Sequence, residues 1–171
     1  MLWGDSTGYV WSRRGERAEI PIRNIKERQT YYGALNIRDR DFVLMPRESG
    51  DGENTVSFMK RLQELNPEKK LMIIWDGASY HNCGEVREYL DEVNRGLEEK
   101  DWKITCLLFA PNAPEQNPVE DVWLRGKNHL RKHFYQNETF QQVKNCFCNF
   151  INKHIFSFSK IDWYLKIPQS V

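Results

Sequence analysis

Three carboxylates stand where chemistry could use them. Asp5 interrupts the apolar and aromatic stretch 1–11, Asp76 closes the apolar run 71–75, and Glu120 lies in Asn117-Pro118-Val119-Glu120. Each has an ordinary explanation when taken alone. Asp5 suits a strand end open to water, and Asp76 suits a turn or a helix cap. Glu120 suits the third position of a helix that Asn117 caps and Pro118 opens. Together they suggest more. Adjacent parallel strands lie about 4.8 Å apart, so pairing of the strands that carry Asp5 and Asp76 would bring two carboxylates face to face. One of them then takes up a proton unless a cation intervenes. Oxygen donors without nitrogen or sulfur suit Mg²⁺ or Mn²⁺. Two such ions about 3.5–4 Å apart clamp the attacking and leaving oxygens of a phosphoryl transfer. Asp121, about a quarter-turn further on, is expected to face solvent.

The elements that must position these residues read as strands first, then alternating helix and strand, then helices. Residues 1–11 form a strand in this reading. Residues 30–37 and 41–45 form a hairpin about the turn Arg38-Asp39-Arg40. Val56, Met59, Leu62 and Leu65 recur at helical spacing, with Asn54 or Thr55 as cap and Pro67 as stop. The run 71–75 has the continuous apolar character of a strand buried on both faces. Val86, Leu90, Val93 and Leu97 predict a helix over 84–100, and 103–109 reads as a further buried strand. A helix opens at Asn117 with Val119, Val122, Trp123 and Leu130 inward. A last helix over 139–155 faces Phe140, Val143, Phe147, Phe150 and Ile151 inward. Residues 156–171 form an aromatic tail that packs back on the domain or meets a partner. The expected architecture is α/β, a mixed five-stranded sheet of order 3-2-1-4-5 flanked by helices, with its site at the carboxyl ends of strands.

Composition sets the frame. A chain of 171 residues, 40% hydrophobic and 29% charged, is one folded domain, with no apolar run of the roughly 20 residues that a membrane helix needs. No signal peptide is visible. The cysteines, Cys83, Cys106, Cys146 and Cys148, form no CxxC pair and suit reduced thiols in a cytoplasmic chain. A net charge of +1 makes any nucleic-acid reading a matter of local patches. One such patch is Arg125, Lys127, Arg131 and Lys132, with His129 and His133, in a stretch that holds no acidic residue. It suits contact with phosphates without base reading, and equally an ordinary solvated helix face. Arg13, Arg14 and Arg17 form a weaker candidate.

Two runs together carry a resemblance. Trp75-Asp76-Gly77-Ala78-Ser79-Tyr80-His81, followed by Phe109-Ala110-Pro111-Asn112-Ala113-Pro114-Glu115-Gln116-Asn117-Pro118-Val119-Glu120-Asp121-Val122-Trp123, resembles the mariner-type DDE transposases of bacterial insertion sequences over residues 1–135. The resemblance implies an RNase H-like catalytic domain over 1–155 that acts on DNA. It implies that Asp5, Asp76 and Glu120 hold two Mg²⁺ ions, with Mn²⁺ able to substitute. The reaction implied is strand cleavage at transposon ends, then transfer of the freed 3′-hydroxyl into target DNA. His81 matches the His that often closes the first motif and becomes a second residue behind the metal or a DNA-facing one, or simple loop packing. Asn117 and Pro118 match as residues that shape the helix start.

A homodimer on paired ends is the family-level expectation, as is a nucleoid location when bound to DNA. The catalytic strand begins at Met1, so the helix-turn-helix half of relatives is expected from a split reading frame upstream. The alternative is a truncated or co-opted remnant that binds nucleic acid or a partner without catalysis. The interval from Asp76 to Glu120 is longer than the commonest family spacing, and the excess is placed in an extended helix near residues 94–101.

Overall fold

A computed structural model describes residues 13–16, 27–111 and 113–165. The strand expected over residues 1–11, and Asp5 with it, lies outside them. Strands β1 (Thr30–Leu35) and β2 (Phe42–Arg47) pair antiparallel, with Leu35 opposite Phe42 and Thr30 opposite Arg47. Their turn is set by Asn36, whose side-chain oxygen accepts from the Arg38 and Asp39 amides, and by Arg40 in the left-handed region at φ 63°. Helix α1 (Gly52–Leu65) follows, then β3 (Leu71–Trp75), α2 (Gly84–Val93) and β4 (Ile104–Leu108). Strands β3 and β4 pair parallel, Leu71 with Ile104 and Trp75 with Leu108, as a helical crossover requires. The described residues therefore hold two separate two-stranded sheets rather than one five-stranded sheet. Helices α3 (Pro118–Lys132), α4 (Phe140–Lys153) and α5 (Ser159–Leu165) complete the described residues.

Helix α1 spans both sheets. Its Phe58 and Leu62 pack on Tyr32 and Ala34 of β1, on Val43 and Met45 of β2, and on Leu71 and Ile73 of β3. Its Met59 joins Val86 and Tyr89 of α2 over Ile104. Asp51 caps α1, accepting from the Asn54 amide at 2.8 Å, in place of the expected Asn54 or Thr55. The opposite face of the hairpin is covered by α3 and α4, through Val122, Leu130, Val143, Phe147 and Ile151 against Phe42 and Leu44. Two glycines permit this closeness. A Cβ at Gly33 would meet Phe42 and Trp123 at 2.4 and 2.5 Å, and one at Gly126 would meet Phe147 at 2.4 Å. Thr139 caps α4 in a reciprocal box with Gln142.

Two expectations are corrected, and an alternative left open for the tail is decided in part. Helix α2 stops at Val93 instead of reaching residue 100, because the buried Asn94 is diverted to the next strand. Its amide donates to the Ile104 carbonyl at 2.8 Å, and its oxygen accepts from the Lys103 and Ile104 amides. Gly96 at φ 76° then turns the chain, so the extra length between the two motifs is turn and not helix. Leu97, expected on the apolar stripe, is exposed. Among the described residues, the β3–β4 sheet is covered on one face only. Met72 is 65% exposed and Leu107 is 44% exposed, because α3 and α4 lie against the hairpin instead. The tail is core in its first half: Phe156 and Ile161 are wholly buried, while Trp163 is exposed.

Candidate active site

Asp76 follows the last residue of β3 and keeps its carboxylate open to solvent. Its Oδ1 accepts from the Ala78 amide at 3.1 Å. His81, in the short turn Ser79–His81, places Nδ1 3.2 Å from both the Asp76 carbonyl and Oδ1. An Nδ1 proton would be donated to the Asp76 carbonyl. The imidazole stacks flat on Trp75, with centroids 4.6 Å apart and planes 7° apart, and Tyr80 meets its edge. The sequence WDGASYH thus folds into a loop whose final His returns to the Asp that opens it.

Glu120 occupies the third position of α3, beyond the N-cap Asn117 and Pro118. The Asn117 oxygen accepts from the Val119 amide at 3.0 Å, so Asn117 shapes the helix start. The Glu120 side chain is exposed and has no partner among the described residues. In chain order, Asp76 directly follows β3, and Glu120 lies in the helix that follows β4. Leu108 pairs with Trp75, the Phe109 amide donates to the Trp75 carbonyl at 2.9 Å, and the chain then runs through the turn Pro114–Gln116 into α3. Among the described residues no three His, Cys, Asp or Glu side chains are grouped closely enough to hold a metal. The third expected carboxylate, Asp5, falls outside them.

Asp121 is not a solvent-facing decoy. Its Oδ2 is buried, with the Lys160 ammonium at 2.7 Å as a charge partner rather than an aligned hydrogen bond. Of the cationic patch, Lys132 is exposed and Arg131 donates to Asn128 at 2.9 Å. Lys127 is half-buried. Arg125 is engaged by the tail: it donates to the Ser157 carbonyl at 2.9 Å and lies over the Phe158 ring. Arg13 and Arg14 are exposed, and Arg17 lies outside the described residues. Residues 122–161 carry seven Lys or Arg against a single acid, Glu138.

A family model described as DDE superfamily endonuclease matches residues 4–142. The chain belongs to that family. A solved structure, "Mos1 transposase paired-end complex with left transposon end", is similar to it at a TM-score of 0.52 and 15% identity, over 92% of this chain and 45% of that one. The DDE domain described here is thus a mixed α/β fold like that of the Mos1 transposase, and it spans less than half of the Mos1 chain. No curated protein matches it. Among the described residues of this DDE domain, no helix is long and apolar enough to cross a membrane.

Several residues near the DDE motifs carried no signal of their own. Burial, and then the negative charge of Asp76, push the Tyr80 hydroxyl above its ordinary range, and its ring packs on Tyr32. Motif position placed Tyr80 in the loop, but its tertiary contacts are with α1 and β1. His154 extends a run of rings in contact, His133 tilted against His129 at 4.2 Å, His129 stacked on Phe150 at 4.3 Å and Phe150 tilted against His154 at 4.0 Å. His129, Phe150 and His154, with Cys146, Asn149 and Lys153, line a shallow groove of about 340 Å³ between α3 and α4. The i, i+4 spacing of His129 and His133 was visible in sequence; their meeting with α4 was not.

Proposed function

We propose that this chain is the catalytic domain of a DDE transposase, cutting DNA strands at transposon ends and joining the freed 3′-hydroxyl to target DNA. The observation that supports the reading is that Asp76 and Glu120, within the two motif runs, are open carboxylates at the end of β3 and in the first turn of α3. Exposed carboxylate oxygens are donors of the kind that Mg²⁺ and Mn²⁺ prefer. Asp5, Asp76 and Glu120 would hold two such ions, whose Lewis acidity polarises the phosphoryl oxygens and lowers the pKa of bound water. The chain's own residues do the rest. The Ala78 amide holds one Asp76 oxygen in place, and His81 packs beside it. Asn117 fixes the helix turn that presents Glu120. Lys127, Arg131 and Lys132 supply charge for the DNA backbone, and Arg125 contributes while it anchors the tail. Two copies acting on paired ends, in the cytoplasm and on the nucleoid, belong to the same proposal.

The test is thermal unfolding against Mn²⁺ and Mg²⁺, with and without a nicked duplex, for the wild type and for Asp5→Asn, Asp76→Asn and Glu120→Gln. Metal at about 100 times its dissociation constant stabilises the wild type by about 2.7 kcal/mol. The reading requires that shift in the wild type and its loss in all three variants. It also requires Mn²⁺-dependent cleavage of duplex ends that Asp76→Asn abolishes. Cleavage retained in Asp76→Asn sinks the reading. Lys132→Ala is expected to reduce the slope of log affinity for duplex DNA against log salt by about 0.9.

A further inference from the structure

We infer that α5 is a clamp on the start of α3, with Lys160 and Tyr164 as positioning residues for Glu120. The inference rests on the nuclease reading above for its functional half. The segment from Phe109 to α3 has few bonds of its own: the Ala110 amide donates to the Gln116 side chain at 3.3 Å, and the Gln116 amide to Ala113 at 3.0 Å. Two further contacts come from far along the chain. The Tyr164 hydroxyl donates to the Gln116 carbonyl at 2.8 Å, and the Lys160 ammonium meets Asp121 at 2.7 Å. Lys160 and Tyr164 are four residues apart, so they share one face of α5. Their partners bracket Glu120 in sequence, Gln116 before it and Asp121 directly after it.

The clamp has a firm base. Seven residues cannot sustain a helix alone, so α5 is held by what it docks on. Ile161 and Phe156 are wholly buried among α3 and α4 residues. The hairpin tip holds the same segment: the Phe156 amide donates to the Arg40 carbonyl at 2.9 Å, and the Arg40 guanidinium reaches Ser157 and Asp162 at 2.9 and 3.2 Å. From α3, Arg125 grips Ser157 and Phe158. Glu120 itself has no partner among the described residues, so its carboxylate is placed by its backbone. A ligand must be held within about 0.5 Å of its working geometry. The Asn117 cap fixes that turn on one side, and α5 fixes it on the other.

Four variants test this: Lys160→Met, Lys160→Arg, Tyr164→Phe and, as a control on an exposed position, Trp163→Ala. The first readout is amide hydrogen exchange, which needs no activity. Exchange across residues 110–121 is expected to quicken about 10-fold in Lys160→Met and Tyr164→Phe, with α1 and α2 unchanged. Unchanged exchange there overturns the clamp. The second readout is the Mn²⁺ dependence of duplex cleavage, at a temperature where all variants are folded. Half-saturating Mn²⁺ is expected to rise about 10-fold in Lys160→Met, as for other residues that orient ligands, and to recover in Lys160→Arg. A wild-type Mn²⁺ dependence despite faster exchange overturns the positioning role. A wild type without metal-dependent cleavage overturns the nuclease reading instead, and the exchange result still decides the clamp.

Discussion

Cutting the chain after Ile155 removes two side chains that solvent does not reach, Phe156 and Ile161. Deleting a buried Phe side chain costs about 3–5 kcal/mol, and a buried Ile about 2–5 kcal/mol. The pair is therefore worth roughly 5–10 kcal/mol, against about 5–15 kcal/mol for a whole domain. The ion pairs lost with them, Arg40–Asp162 and Lys160–Asp121, add little beside this, since Arg40 and Asp162 keep much of their solvent. Truncation also opens Phe42, Val122 and Leu130 to water. A chain ending at residue 155 should lose cooperative unfolding, followed in urea by far-ultraviolet circular dichroism. Full-length Ile161→Ala should still unfold cooperatively, about 2–5 kcal/mol less stable. A truncated chain that unfolds cooperatively, within about 1 kcal/mol of the full chain, would refute the assignment of this segment to the core.

Three further outcomes are expected. Asn94→Ala removes three bonds to the start of β4 and leaves buried backbone groups unpaired; urea unfolding should show a loss of about 2–4 kcal/mol. Gly126→Ala gains about 1 kcal/mol of helix propensity but loses more by crowding, about 1–3 kcal/mol. The Phe147 ring it meets is itself packed between Tyr31 and Trp123; a Tm equal to the wild type would mean that α3 can shift. Burial, and then His133, His154 and Lys132, hold His129 below its ordinary 6.5. The unfolded chain therefore takes up that proton first, so stability is full above about pH 6.5 and falls as pH drops towards the folded value. Lys153 lines the same groove from α4 and adds positive charge to it. His129→Gln should flatten the difference in urea stability between pH 7.5 and 5.5, and an unaltered difference would count against this account.

Local pattern carried much of the fold. The hairpin, α1, β3, α3 and α4 follow from apolar spacing and from Asn117, Pro67 and Thr139, all of which act within a turn of their own position. What pattern could not reveal depends on distant partners. Asn94 ends α2 only because β4 passes beside it, and nothing in its neighbours announces that. The apolar runs of β3 and β4 imply burial on both faces, yet which sheet α3 and α4 cover is a tertiary choice, and it leaves Met72 and Leu107 exposed. At the site, Asp76 and Glu120 were legible from the ends of an apolar run and a capped helix. The meeting of His81 with Trp75 and Asp76 is local and so was half visible. The contacts of Lys160 with Asp121 and Tyr164 with Gln116 cross about 40 residues of chain and leave no periodic trace.

The crowding of cations into α3 and α4 has an electrical consequence. With seven basic residues and one acid in residues 122–161, the remainder of a chain of net charge +1 carries 18 basic residues against 23 acidic ones. The molecule is close to neutral, and yet its charge is unevenly divided along the chain. Its isoelectric point says little about its behaviour at low salt. At neutral pH it should be retained weakly on both cation- and anion-exchange media, and a polyanion should receive it in one preferred orientation, α3 and α4 foremost, before any contact forms.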